Sequence, residues 1–276
     1  MALPHNSNQI FASREMNPKY DPKFIDKREA RDSEEHPNST PIIIGVDVTG
    51  SMGYLSTQII KESLNELMQK LYSTNMVQDP QLLFAAIGDA TDRAPLQVTQ
   101  FESDIRIAEQ LMELWIENNG GDAPEDYELL WYFAAKHTET DCCTKRGEKG
   151  FCFTIGDAGF HEELYEEDIE GIFGDKMGKG RIRSTKLAEM ASEKYELFHI
   201  IIGDKDNNAL NIIPGRVLRV YKTDINYLPE IIISAMQLSK GMSEEKILEQ
   251  WGELARPVVK KAISSLRIQK KLKISF

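Results

Sequence analysis

Asp47, Thr49 and Ser51 alternate in the run Asp47-Val48-Thr49-Gly50-Ser51. In an extended loop, residues two apart turn to the same side, so these three oxygen-bearing side chains converge. Two further acidic residues stand in comparable places. Asp122 lies in Gly120-Gly121-Asp122, ahead of a helix opened by Pro124, and Asp157 follows the apolar run Gly150 to Ile155. Hydroxyl and carboxylate oxygens at one point make a cage for a hard cation. Mg²⁺ is the first expectation, with Mn²⁺ or Ca²⁺ as variants, and zinc fits poorly. Gly50 and Gly53 permit a tight turn after the first cluster. Each acid also has an ordinary alternative. Asp47 or Asp157 alone could cap a helix, and Asp122 could cap the helix that Pro124 begins.

The elements around these clusters decide between the two uses. Pro41 to Val48 is a short β-branched run and reads as a buried strand. Leu82 to Gly88, Gly150 to Ile155, Leu197 to Ile202 and Arg216 to Tyr221 read likewise, with a short strand near Leu96 to Phe101. Between them, apolar residues recur at helical spacing: Leu55, Ile59, Leu64, Leu67, Met68 and Leu71 first, then Ser103 to Trp115 with Ser103 as its N-cap. Pro124 to His137, Thr185 to Tyr195 and Ile225 to Leu238 follow. In the helix after the Gly-Gly loop, Glu125 and Asp126 complement the positive helix start. Strands alternating with helices predict an α/β fold, a doubly wound, mostly parallel central sheet with helices on both faces, Rossmann-like in plan. Such sheets bind ligands beyond the carboxyl ends of their strands, which is where the clusters fall.

At this point the residues resemble a known family. Asp47-Val48-Thr49-Gly50-Ser51-Met52, then Gly120-Gly121-Asp122-Ala123-Pro124-Glu125-Asp126, then Phe153 to His161 (FTIGDAGFH), are similar to the three loops of the metal-ion-dependent adhesion site (MIDAS) of von Willebrand factor type A (VWA) domains. The match runs over about residues 40–240 and is closest to the intracellular members. The resemblance implies that Thr49 and Ser51 bind a divalent metal through their hydroxyls. Asp47 and Asp157 would bind it or hold its waters. Asp122 stands where many members have a Thr, so direct or water-mediated coordination there stays open. The resemblance further implies a protein-binding adaptor rather than an enzyme. A partner protein would supply an Asp or Glu to complete the metal, and an ATPase or larger assembly is the class of partner. His161 reads as a satisfied or solvent-exposed side chain.

A rival reading comes from haloacid-dehalogenase-like phosphotransferases. There Asp47 would be the nucleophile, and Asp204 and Asp206 of Gly203-Asp204-Lys205-Asp206-Asn207-Asn208 would hold Mg²⁺. Against it, Thr49 replaces the second Asp expected as general acid. The ordinary reading of Gly203 to Asn208 is a polar turn. The chain has no Walker A string, no G-x-G-x-x-G after the first strand and no G-x-S-x-G elbow.

Composition bounds the remainder. The chain has 276 residues, 41% hydrophobic and 28% charged, with a net charge of −11. From Arg256 to Phe276 there are seven basic and no acidic residues, which leaves −18 on residues 1–255. An acidic body suits cations and disfavours nucleic acid. The stretch from Glu162 to Glu170 reads mostly as a solvated helix face. No stretch is apolar enough for a membrane span, and the first residues have no apolar core of a signal peptide, so a cytoplasmic protein is expected. Cys142, Cys143 and Cys152 are expected to be reduced thiols. A zinc site joining them to His137 lacks the usual spacing. Residues 1–40 read as a polar arm pinned by Phe11, Tyr20 and Phe24, residues 41–240 as the main domain, and residues 241–276 as a basic helical extension. In that extension Val259, Ala262, Ile263 and Leu266 form one apolar face, which predicts docking rather than a loose tail.

Overall fold

The computed structural model describes residues 15–74, 77–104, 106–116, 124–178, 180–205 and 207–268. Their strands are β1 (Arg28–Ala30), β2 (Thr40–Asp47), β3 (Pro80–Ile87), β4 (Leu96–Val98), β5 (Thr138–Thr140), β6 (Gly150–Gly156), β7 (Glu163–Tyr165), β8 (Arg181–Arg183), β9 (Tyr195–Ile202) and β10 (Val217–Val220). The first long helix is α1 (Tyr54–Gln58), continued by a π-helical turn (Ile59–Ser63) into α2 (Leu64–Thr74). Then come α3 (Arg106–Glu113), α4 (Tyr127–Lys136), α5 (Asp141–Arg146), α6 (Glu166–Phe173), α7 (Ser184–Ser192), α8 (Ala209–Ile212), α9 (Leu228–Ser239), α10 (Glu244–Glu249) and α11 (Ala255–Ile263).

Six strands form the main sheet in the order β10-β9-β6-β2-β3-β4. All neighbours are parallel except β3 and β4. The expected α/β, doubly wound, mostly parallel plan is therefore the observed one. Parallel strands covered on both faces alternate their side chains between two cores. Ile42, Ile44 and Val46 of β2 join Phe84, Phe153 and Ile200 on one side, against α2, α9 and α11. Ile43 joins Leu83, Cys152 and Ile201 on the other, against α4, α6 and α7.

The chain leaves β2 for β3 on one side and later returns to β6 on the other. The gap between β2 and β6 is thus the place where the winding reverses, and a crevice opens there at the strand ends. Register sets what lines it. Asp47 ends β2 level with Ile87 of β3, and Val46 pairs with Ile155 of β6. Asp157 therefore leaves β6 beside Asp47, and Asp89 leaves β3 two residues past Ile87.

Several boundaries differ from the expected ones for local reasons. The helix predicted from Ser103 is shorter, because Asp104 accepts from the Arg106 N–H at 3.0 Å and the Ser103 carbonyl accepts the Tyr72 hydroxyl at 2.5 Å. The helix after the Gly-Gly loop starts at Tyr127, so Pro124 stands outside it. Glu125 instead bridges to Phe160, with its N–H donating to the Gly159 carbonyl at 2.9 Å. Phe24 is 68% exposed, whereas Tyr20 is fully buried and Arg28–Ala30 pairs with β5. Phe11 lies outside the described residues. The basic helix α11 docks as its pattern predicts: Val259, Ala262, Ile263 and Leu266 are buried in the core under α9. Among the described residues no helix is long and apolar enough to cross a membrane.

Candidate metal centre

The crevice collects the first and third clusters. Asp47 is fully buried. Its Oδ1 accepts from the Thr49 N–H at 2.9 Å and from the Thr49 hydroxyl at 2.7 Å. Thr49 Oγ1 lies 3.4 Å from Ser51 Oγ, and Ser51 donates to Asp157 Oδ1 at 2.7 Å. Gly53, at φ +53°, turns the loop into α1. Asp47, Thr49, Ser51 and Asp157 thus form one chain of short contacts at the strand ends. Asp122 lies outside the described residues.

Tyr127 completes the floor. It is fully buried on α4 and donates to Asp47 Oδ2 at 2.9 Å. It can stand there because Gly156 has no side chain: a Cβ at 156 would lie 1.9 Å from the tyrosine oxygen. Sequence reasoning missed this residue, since it becomes visible only once α4 is packed over β6.

Glu125 was also missed as a site residue, being read as a helix-start charge. It is 3% exposed, and its Oε2 has no hydrogen-bond partner. Burial, then the charges of Asp47, Asp89 and Asp92, push its carboxyl up to about 8, with the nearby Thr49 hydroxyl working the other way. Burial likewise pushes Asp47 up to about 6, opposed by its Thr49 and Tyr127 hydrogen bonds and aided by Asp157. Carboxylates crowded this closely disfavour their own ionisation, and a cation among them reverses that.

The donors suit a hard cation. Two hydroxyls, the Asp47 and Asp157 carboxylates and the orphaned Glu125 oxygen are all oxygen. Ligands about 2.1 Å from an octahedral Mg²⁺ stand about 3 Å apart, which is the scale of the 2.7–3.4 Å separations here. Lys205 is a basic group at this edge, its Nζ 3.5 Å from Asp157 Oδ2.

The turn after β9 braces the third loop. Asn208 accepts from the Phe160 N–H and donates to the Phe160 carbonyl, both at 2.8 Å, and Asn207 donates to the Ala158 carbonyl. Asp206 lies outside the described residues. The zinc alternative fails on position. Cys152 is buried in β6, Cys142 donates to Thr140, and His137 bonds Asp175 and the carbonyls of Ile25 and Asp26. His161, expected to be satisfied or solvent-exposed, is part exposed and has Nε2 3.5 Å from Asp89 Oδ2 and 3.9 Å from Asp126 Oδ1.

No protein-family model matches the chain, and no curated protein does. Among solved structures it is similar to the pilus adhesin SpaC of Lactobacillus rhamnosus GG in its open conformation. The identity is 12% over 74% of this chain and 31% of the adhesin, with a TM-score of 0.51. It is also similar to proximal thread matrix protein 1 of the mussel byssus with a zinc-occupied MIDAS motif, at 12% identity over 76% of this chain and 49% of that one, TM-score 0.49. A third is a von Willebrand factor type A protein from Catenulispora acidiphila, at 14% identity over 73% of this chain and 42% of that one, TM-score 0.41. The chain spans less than half the length of each. At these identities the likeness is one of fold. The fold it shares with the adhesin is a six-stranded, mostly parallel sheet with a single antiparallel edge and helices on both faces.

Proposed function

We propose that this chain is a divalent-metal-dependent protein-binding module and not an enzyme. The observation that carries the reading is the meeting of Ser51 with Asp157 at 2.7 Å beside Thr49 and Asp47. Thr49, Ser51 and Asp157 would hold a Mg²⁺ ion, with Asp47 and Glu125 as direct or water-mediated holders and Asp122 as a further contributor from the second loop. Bound there, the ion would supply a Lewis-acidic position open to a carboxylate of a partner protein. Tyr127 fixes the Asp47 carboxylate, and the Asn207–Asn208 turn fixes the loop that carries Asp157. The acidic body would otherwise repel an acidic partner, so recognition of an Asp or Glu depends on the cation.

The geometry argues against the phosphotransferase alternative. A nucleophilic carboxylate needs a free oxygen facing the substrate. Asp47 has no exposure, and both of its oxygens accept hydrogen bonds from Thr49 or Tyr127. The partner half of the proposal is tested on an array of peptides carrying single Asp or Glu residues, probed with the full chain in Mg²⁺ and in EDTA. Binding that needs both Mg²⁺ and the peptide carboxylate is expected. Binding unchanged in EDTA would contradict the metal bridge, and an aspartyl-phosphate on Asp47 after incubation with Mg²⁺ and a phosphoryl donor would establish the enzyme instead.

A further inference from the structure

We propose that Asp89, Asp126 and His161 form a second cation site, suited to a transition-metal dication such as Zn²⁺ or Mn²⁺. The site stands on its own residues, whether or not the first centre binds metal. One ligand-capable atom of each residue lies within 4.8 Å of the others. His161 Nε2 is 3.5 Å from Asp89 Oδ2 and 3.9 Å from Asp126 Oδ1. Both spacings are too long for a good hydrogen bond. They suit donors facing one another across an ion: two ligands each about 2.1 Å from Zn²⁺ stand about 3.4 Å apart at the tetrahedral angle.

The carboxylates are held in place from behind. Asp89 Oδ1 accepts from the Thr91 N–H at 2.8 Å and the Thr91 hydroxyl at 2.7 Å, leaving Oδ2 toward the histidine. Asp126 Oδ2 accepts from the Ala90 N–H at 2.7 Å, leaving Oδ1 toward it. Backbone and hydroxyl donors of this kind orient metal ligands.

A separate observation calls for a cation. Glu128 is fully buried, and its Oε2 has no hydrogen-bond partner. Its other oxygen accepts from Ser184, whose hydroxyl also reaches the His161 carbonyl at 2.6 Å. Ser184 thus joins Glu128 to the segment that carries His161, and the second Glu128 oxygen is unpaired. An imidazole nitrogen with carboxylate oxygens suits Zn²⁺ or Mn²⁺ better than Mg²⁺, which prefers oxygen and water.

Native mass spectrometry and calorimetric titration of the full chain with ZnCl₂ and MnCl₂ test this, on wild type, Thr49→Ala, His161→Gln and Asp89→Asn. His161 is partly exposed, and an Asn at 89 keeps the acceptor for Thr91, so these changes spare the fold; circular dichroism checks it. The expected result is an ion that His161→Gln and Asp89→Asn lose, or bind at least about tenfold more weakly, and that Thr49→Ala keeps. A single ion in the wild type that follows this pattern supports the second site and removes the first. Metal binding that His161→Gln and Asp89→Asn leave unchanged overturns the proposal.

Discussion

The hydroxyl of Tyr127 donates to Asp47 Oδ2 at 2.9 Å across the floor of the crevice, with both residues fully buried. The bond joins α4 to the end of β2 and holds the carboxylate whose other oxygen orients Thr49. Tyr127→Phe leaves that buried oxygen without its donor, at a cost of about 1–3 kcal/mol in stability. Removing an outer partner of a metal ligand typically weakens binding about 10–100-fold, and Mg²⁺ affinity should fall on that scale. Urea unfolding and calorimetric titration measure the two effects.

Gly156→Ala should have the same consequence by a different route. Its methyl group would lie 1.9 Å from the tyrosine oxygen, so the ring must move. Overpacking of this kind costs about 1–3 kcal/mol. In the double variant with Tyr127→Phe, which removes the oxygen that clashes, part of the loss should disappear. Full additivity of the two changes would mean that the ring carbons, 2.6 and 2.7 Å from the methyl, and not the oxygen carry the clash.

Lys205 places its ammonium 3.5 Å from Asp157 Oδ2 while remaining 65% exposed on its side chain. It competes with a divalent ion for that oxygen. Lys205→Ala should tighten Mg²⁺ binding by about two- to fivefold at low ionic strength, and by less in high salt, where exposed charges are screened. Titrations at two salt concentrations check the direction and its salt dependence.

His199 is fully buried under the rings of Tyr127 and Phe160, with Nδ1 2.9 Å from the Thr154 hydroxyl. Burial lowers its pKa from 6.5 to about 3. Below pH 6.5 the unfolded chain takes up a proton that the native state refuses, so stability falls as the pH drops from 6.5 toward 3. The loss is about 1.4 kcal/mol per pH unit, or about 2 kcal/mol by pH 5. His199→Asn should remove that part of the acid sensitivity. Urea unfolding of both proteins at pH 7 and pH 5 reads the difference.

The buried strands were legible because β-branched and aromatic runs have few other uses, and Ile42 to Val46 behaves as such a run must. The Asp47-x-Thr49-x-Ser51 loop was legible because its residues are neighbours in sequence. Asp157 was legible from its place just past a buried strand. The same signal was present at Asp89, which follows β3, and Asp89-x-Thr91 repeats the Asp47-x-Thr49 hydrogen bonds. It passed unnoticed because no hydroxyl stands at the next alternate position. Tyr127, Glu125, Asp126 and His161 depend on strand order and on how α4 crosses the sheet. These are long-range relationships that a local pattern does not carry. Pro124 misled in addition: it suggested a helix start, and so made Glu125 and Asp126 charges that complement that start.

The central claim is that Thr49, Ser51 and Asp157 hold a divalent cation, and calorimetric titration of the full chain with MgCl₂ beside Thr49→Ala tests it most directly. The expected result is saturable binding in the wild type that Thr49→Ala abolishes or weakens at least about tenfold, with circular dichroism unchanged. Equal binding by both proteins, or no heat from either, would contradict it.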